Sequence, residues 1–227
     1  MAILSKAMKH KLEYPAKRLT SGCLYSSVAH AVANLKFPFF SYDQSWNGEN
    51  YSFQFDRSRG TVTFDKENDL IVAAFRDDTS SRLLDYPEYK AAWLFSEADE
   101  RVRKIAESET LEYLYYAFGK VSMPAATTAM WSEGDAMYSP DDDAAFIVNG
   151  GEFIGIICAP PEELAEHWIE QYEFTEDELA AVDYLYKSKC DGVARLALKD
   201  IPLAIDKGSD GYAEFLTSLS ELSMEIE

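Results

Sequence analysis

Positive charge is what the second half of the chain has least of. Residues 131–227 hold five Lys/Arg against 23 Asp/Glu, residues 41–130 hold 10 against 16, and residues 1–40 hold six against Glu13 alone. The 227 residues together carry −19. Binding to a phosphate backbone needs clustered Lys/Arg, so the acidic third excludes nucleic acid as its partner. Histidine is scarce, at three, which argues against a His-rich zinc site. Three cysteines, Cys23, Cys158 and Cys190, are too few and too scattered for a disulfide framework. No apolar segment follows Lys6, Lys9 and Lys11 to make an export signal, so free thiols and a cytoplasmic location are expected. No apolar run approaches the roughly 18 residues of a membrane span. There is no CxxC, HExxH, P-loop or GxGxxG, so neither a metal nor a cofactor is expected.

Apolar residues at 47% and aromatics at 14% make a chain able to bury a core. The length suits one α+β domain over 1–227. The place for a subdivision is 120–143, where Pro124, Gly134, Pro140 and the charge shift coincide.

The fold is expected to grow from residues 45–82. Tyr51, Phe53 and Phe55 alternate with polar residues, the period of a half-buried strand. Asp56 to Gly60 supplies a turn, with Gly60 suited to positive φ. Val62 and Phe64 alternate in a return strand, and Leu70 to Phe75 reads as a strand covered on both faces. The result is a three-stranded meander near 51–75. Asn149-Gly150-Gly151-Glu152, between Ala144–Val148 and Phe153–Ile157, reads as a second hairpin near 144–157 in the same sheet. Five or six helices surround it. One runs from Ser21 to about Asn34. A long one opens at Asp85 and Pro87 and continues through Leu111–Phe118 to Gly119. Pro161 starts another that reaches about Tyr172. Thr175-Glu176-Asp177-Glu178 has the spacing of a capping box for a helix to Cys190. A last helix starts at Ser209 or Asp210.

Three groups of residues are candidates for chemistry. The first is Cys23, read as lying in the first turn of the helix from Ser21, where unpaired N–H groups stabilise a thiolate. Gly22-Cys23-Leu24-Tyr25-Ser26 resembles the nucleophile turn of papain-like cysteine peptidases over about six residues, with Leu24 where that family has an aromatic. The resemblance implies a hydrolase or transferase with Cys23 as nucleophile and a histidine as base. His30 is about 10 Å along the same helix at 1.5 Å per residue, too far for a hydrogen bond. His10 sits in the basic arm, which leaves His167. The ordinary alternative is a small buried thiol and a boundary histidine. The second group is Arg57, Arg59, Arg76 and Arg82, an anion site in the loops that end the meander, against the plain reading of polar turns neutralised by Asp56, Asp77 and Asp78. The third is Asp141-Asp142-Asp143 with Asp135. This run lacks the alternate oxygens of a Ca²⁺ loop.

The leading expectation is a non-enzymatic binding module for a basic protein, an immunity-type inhibitor being one instance by charge and size alone. Asp135, Asp141, Asp142 and Asp143 would pair with the partner's Lys/Arg, with Trp131, Tyr138 and Trp168 as apolar anchors. The cysteine-dependent enzyme is the alternative, and an oligomeric structural subunit a third.

Overall fold

A computed structural model describes residues 9–40, 43–55, 57–84 and 90–227. Asp56, Asp85 and Pro87, given above to a turn and a helix start, lie outside the described residues. The strands are β1 His10–Leu12, β2 Gln44–Asn47, β3 Asn50–Phe55, β4 Ser58–Asp65, β5 Leu70–Asp77, β6 Tyr115–Phe118, β7 Val121–Pro124, β8 Thr128–Glu133, β9 Ala136–Ser139, β10 Arg195–Leu196 and β11 Glu225–Ile226. The helices are α1 Ala16–Asn34, α2 Ser81–Leu84, α3 Glu100–Ser108, α4 Asp143–Phe146, α5 Glu152–Ile157, α6 Pro161–Tyr172, α7 Glu176–Cys190 and α8 Gly211–Glu221. Seven strands form one sheet in the order β1-β9-β8-β5-β4-β3-β2, and β6-β7 and β10-β11 form two small ones. The class is α+β. By contacts the chain divides into two compact units, Met1–Leu19 with Glu49–Gly155 and Thr20–Gly48 with Ile156–Glu227. The stretch 120–143 lies wholly in the first.

In the first unit, β3, β4 and β5 make a meander that pairs Tyr51 with Val62 and Val62 with Ala73. Every residue of β5 from Ile71 to Asp77 is buried, which is why its sequence runs apolar instead of alternating. One face packs Val72, Ala74 and Trp131 under Leu94, Phe95, Val102, Leu111 and Leu114. On the other face Phe53 meets Phe153 at 4.4 Å and Phe75 meets Phe146 at 5.6 Å. Gly60 lies within β4 opposite Phe53 and Phe75. A Cβ there would fall 2.3 Å from the Phe53 ring and 2.7 Å from that of Phe75. Its role is to let two rings meet, and the positive φ expected of it is corrected.

The hairpin expected near 144–157 is also corrected, because the segment is helical. The Asp142 side chain accepts from the Ala145 amide at 2.9 Å and caps α4. Phe146, Gly150, Phe153, Ile154 and Ile157 are buried at helical spacing. The glycines serve a kink inside the run: Gly150 takes φ 111°, and a Cβ on Gly151 would fall 2.2 Å from the Phe146 ring. Residues 111–118 depart as well. Leu111 and Leu114 turn inward from a 3₁₀ turn over Thr110–Leu114, and Gly119 at φ 63° joins β6 to β7 instead of ending a helix.

In the second unit the amphipathic pattern of α6 is simple: Leu164, Trp168 and Tyr172, four apart, face inward, and Glu162, Glu166 and Glu170 are exposed. The Trp168 ring stacks on Tyr172 at 5.1 Å and donates Nε1–H to Ser26 Oγ at 3.0 Å. Thr175 and Glu178 form the capping box at the start of α7, and Gly192 just past its end takes φ 78°.

Candidate functional site

The acidic surface of the second unit lies on α6, on the first turn of α7 and on the loop between them. Glu162, Glu163, Glu166, Glu170, Glu173, Glu176 and Asp177 are all exposed. From Val121 to Tyr186 the sequence has no lysine or arginine, and 15 of these residues are Asp or Glu. Lys36, from outside the stretch, pairs with Glu178 at 3.3 Å, and the same ammonium donates to the Glu173 carbonyl at 2.9 Å. Asp183 accepts from the Tyr25 hydroxyl at 3.4 Å, and burial raises that phenol well above its ordinary pKa, with Asp183 adding to it. Glu162 and Glu163 in the first turn of α6, and Glu176 and Asp177 in that of α7, also complement the helix dipoles. That local stabilisation explains their positions. It leaves the surface field unneutralised.

Beneath a recess in the same unit lies a buried polar network. His30 Nδ1 is 3.1 Å from Tyr172 Oη, and Gln44 Nε2 donates to that oxygen at 3.0 Å. The recess is lined by His30, Gln44, Trp46, Ser218 and Glu221 and measures about 10 Å³, room for about one water. The Trp46 amide donates to Glu221 at 3.0 Å, and desolvation raises the Glu221 carboxyl. This is too small for a ligand and reads as a structural network. Sequence reasoning missed it. His30 and Tyr172 are 142 residues apart and Gln44 and Tyr172 are 128 apart, so no local pattern announces them.

Cys23 does not sit in a first turn. The carbonyl of Pro15 accepts from Arg18 at 2.9 Å and Leu19 at 3.1 Å, so α1 begins at Ala16 and the thiol lies two turns inside it. The dipole field has faded there. Cys23 is fully buried, and burial pushes its pKa well above the ordinary thiol value, with Cys158 raising it further. His167 stacks its edge against Trp168 at 4.8 Å, and burial lowers its pKa against an opposing pull from Glu170. No hydrogen bond joins Cys23 and His167 among the described residues. A protonated, enclosed thiol is the reverse of an activated nucleophile.

Three of the four arginines are bound internally. The Arg82 guanidinium makes a two-pronged bond to Asp141, at 2.7 and 2.5 Å, and a third to the Thr127 carbonyl. Arg76 donates to Asp78 at 2.7 Å and to the Tyr115 carbonyl at 3.2 Å, and its guanidinium lies 4.8 Å over the Tyr116 ring. Arg57 is 3.6 Å from Asp77. The structure therefore does not bring the four together as one open site. The Asp run is dispersed too: Asp141 holds Arg82 and the Thr128 hydroxyl, Asp142 caps α4, and Asp143 is exposed in its first turn. Asp135 borders an open groove of about 510 Å³ with Lys11, Glu13, Tyr14 and Met137. Trp131 and Trp168 are buried and offer no surface to a partner. Tyr138 is half-buried under the Lys9 ammonium, 4.4 Å from its ring. Among the described residues no three of His, Cys, Asp and Glu are placed to hold a metal ion, and no single helix is long and apolar enough to cross a membrane.

No family model, no characterised protein and no solved structure matches the chain.

Proposed function

We propose that the chain is a protein-binding module whose acidic helical surface on α6 and the start of α7 engages a basic partner. The observation that carries the reading is the set of seven exposed carboxylates on that surface, within a stretch of sequence that has no lysine or arginine of its own. The mechanism is occlusion. Glu162, Glu166 and Glu170 share one side of α6 and would cover a lysine- or arginine-rich site on the partner, as an immunity-type inhibitor covers the active site of a basic enzyme. Trp131 and Trp168, expected from the sequence as anchors, are buried and take no part in this surface. Three free cysteines fit a reducing compartment, and the cytoplasm is the location we assign.

The test is capture from lysate by the wild-type chain and by Glu162→Gln/Glu166→Gln/Glu170→Gln. The three glutamates are exposed, so neutralising them removes surface charge and, at Glu162, the dipole contribution in the first turn of α6. The reading expects a basic protein retained by the wild type at about 50 mM salt and released at about 500 mM, where the Debye length falls to roughly 4 Å. It expects that protein to be lost by the variant. Equal capture by both chains, or capture indifferent to salt, contradicts it.

A further inference from the structure

Arg59 and Arg76 face each other directly across the β4–β5 ladder. Like charges in that position repel. Arg76 is compensated by Asp78, by the Tyr115 carbonyl and by the Tyr116 ring. Arg59 is not. Among the described residues no carboxylate, carbonyl or ring engages its guanidinium, and its Nε is buried without an acceptor. Among the described residues, the two carboxylates at this end of β5 are committed elsewhere: Asp77 to Thr79 and Arg57, Asp78 to Arg76. Gln54 lies opposite Arg59 on its other side, exposed and on the same face. A buried N–H lacking any acceptor, beside a second guanidinium, is the condition a bound anion relieves.

We propose that Arg59 anchors a small oxyanion site, in which its guanidinium donates to two oxygens of a carboxylate or phosphate group and the Gln54 amide donates to the rim. Arg76 lends its field from across the ladder and stays on Asp78. Arg82 is excluded, because Asp141 already occupies its fork. The site lies in the first unit and does not rest on the reading of α6 and α7.

The experiment follows the Arg59 Nε–H resonance in the ¹⁵N-labelled full chain while sodium acetate, sodium phosphate or sodium chloride is added at matched ionic strength. A saturable shift with acetate or phosphate, and none with chloride, is expected, and the anion that saturates at lower concentration identifies the source. Arg59→Lys keeps the charge and removes the fork, so saturation should be lost in its backbone resonances around Gln54 and Arg59. Shifts that are identical for all three salts, or that never saturate, overturn the site. So does an Arg59→Lys chain that still saturates like the wild type. The wild-type titration decides the matter even if the variant folds poorly.

Discussion

Replacing Asp141 by Asn should destabilise the first unit without touching any binding surface. Asp141 is 6% exposed and accepts both prongs of Arg82 and the Thr128 hydroxyl. Arg82 in turn holds the Thr127 carbonyl. The amide has nearly the same shape but turns an NH₂ toward a guanidinium, leaving a donor against a donor and a cation without its counter-charge. Removing one partner of a fully buried pair costs about 3–5 kcal/mol. The Arg82 side chain is 28% exposed, so water recovers part of that, and about 2–3 kcal/mol is expected. At about 2–4 °C per kcal/mol for a chain of this size, Tm should fall by about 4–12 °C. Thermal unfolding followed by circular dichroism measures the shift in Tm, and urea unfolding measures the free-energy cost. The double variant Arg82→Met/Asp141→Leu should cost less than the two single changes summed, since neither charge is then stranded. A single Asp141→Asn cost within about 0.5 kcal/mol of zero would refute the reasoning.

Four further outcomes follow from the geometry. Gly60→Ala should cost about 1–3 kcal/mol in urea unfolding by forcing Phe53 and Phe75 apart; an unchanged midpoint would mean that the rings have room. Thr175→Ala should cost about 1 kcal/mol through loss of the capping box, and no change in the stability of α7 by hydrogen exchange would remove that box from the account. Iodoacetamide should label exposed Cys190 in the folded protein and spare Cys23 until unfolding; mass spectrometry showing fast labelling of Cys23 would reopen the enzyme reading. The His167 ring should titrate below the ordinary 6.5. Because its folded pKa is lowered, the unfolded chain binds the proton more readily, so its contribution to stability is fully present above 6.5 and is lost as pH falls from there through the lower folded pKa; a midpoint above 6.5 by NMR contradicts this.

Much of the local structure was legible where side-chain period and end signals agreed. The alternation of Tyr51, Phe53 and Phe55 and the apolar run from Leu70 mark β3 and β5, and Pro161, Thr175 and Gly192 mark the ends of α6 and α7. The failures came where one signal has two uses. Asn149-Gly150-Gly151 kinks a helical run as readily as it closes a hairpin, and the buried positions 146, 150, 153 and 157 were the better guide. Strand β8, Thr-Ala-Met-Trp-Ser-Glu, is buried along nearly its whole length and shows no alternation to read. Gly119 and Gly134, both at positive φ, close hairpins, the first where the sequence reads as the end of a helix and the second inside the 120–143 stretch marked for a subdivision. Of the candidate site, charge was visible and burial was not. Trp131, Trp168, Asp141 and Cys23 are all residue types that serve surfaces or reactions elsewhere, and here each is enclosed.

Hydrogen–deuterium exchange on the complex with the captured basic partner tests the acidic-surface reading most directly. Amides of 161–178 should become protected on binding, and the protection should vanish when salt is raised to about 500 mM. Protection confined to other segments, or unchanged exchange over 161–178 in a formed complex, would contradict it.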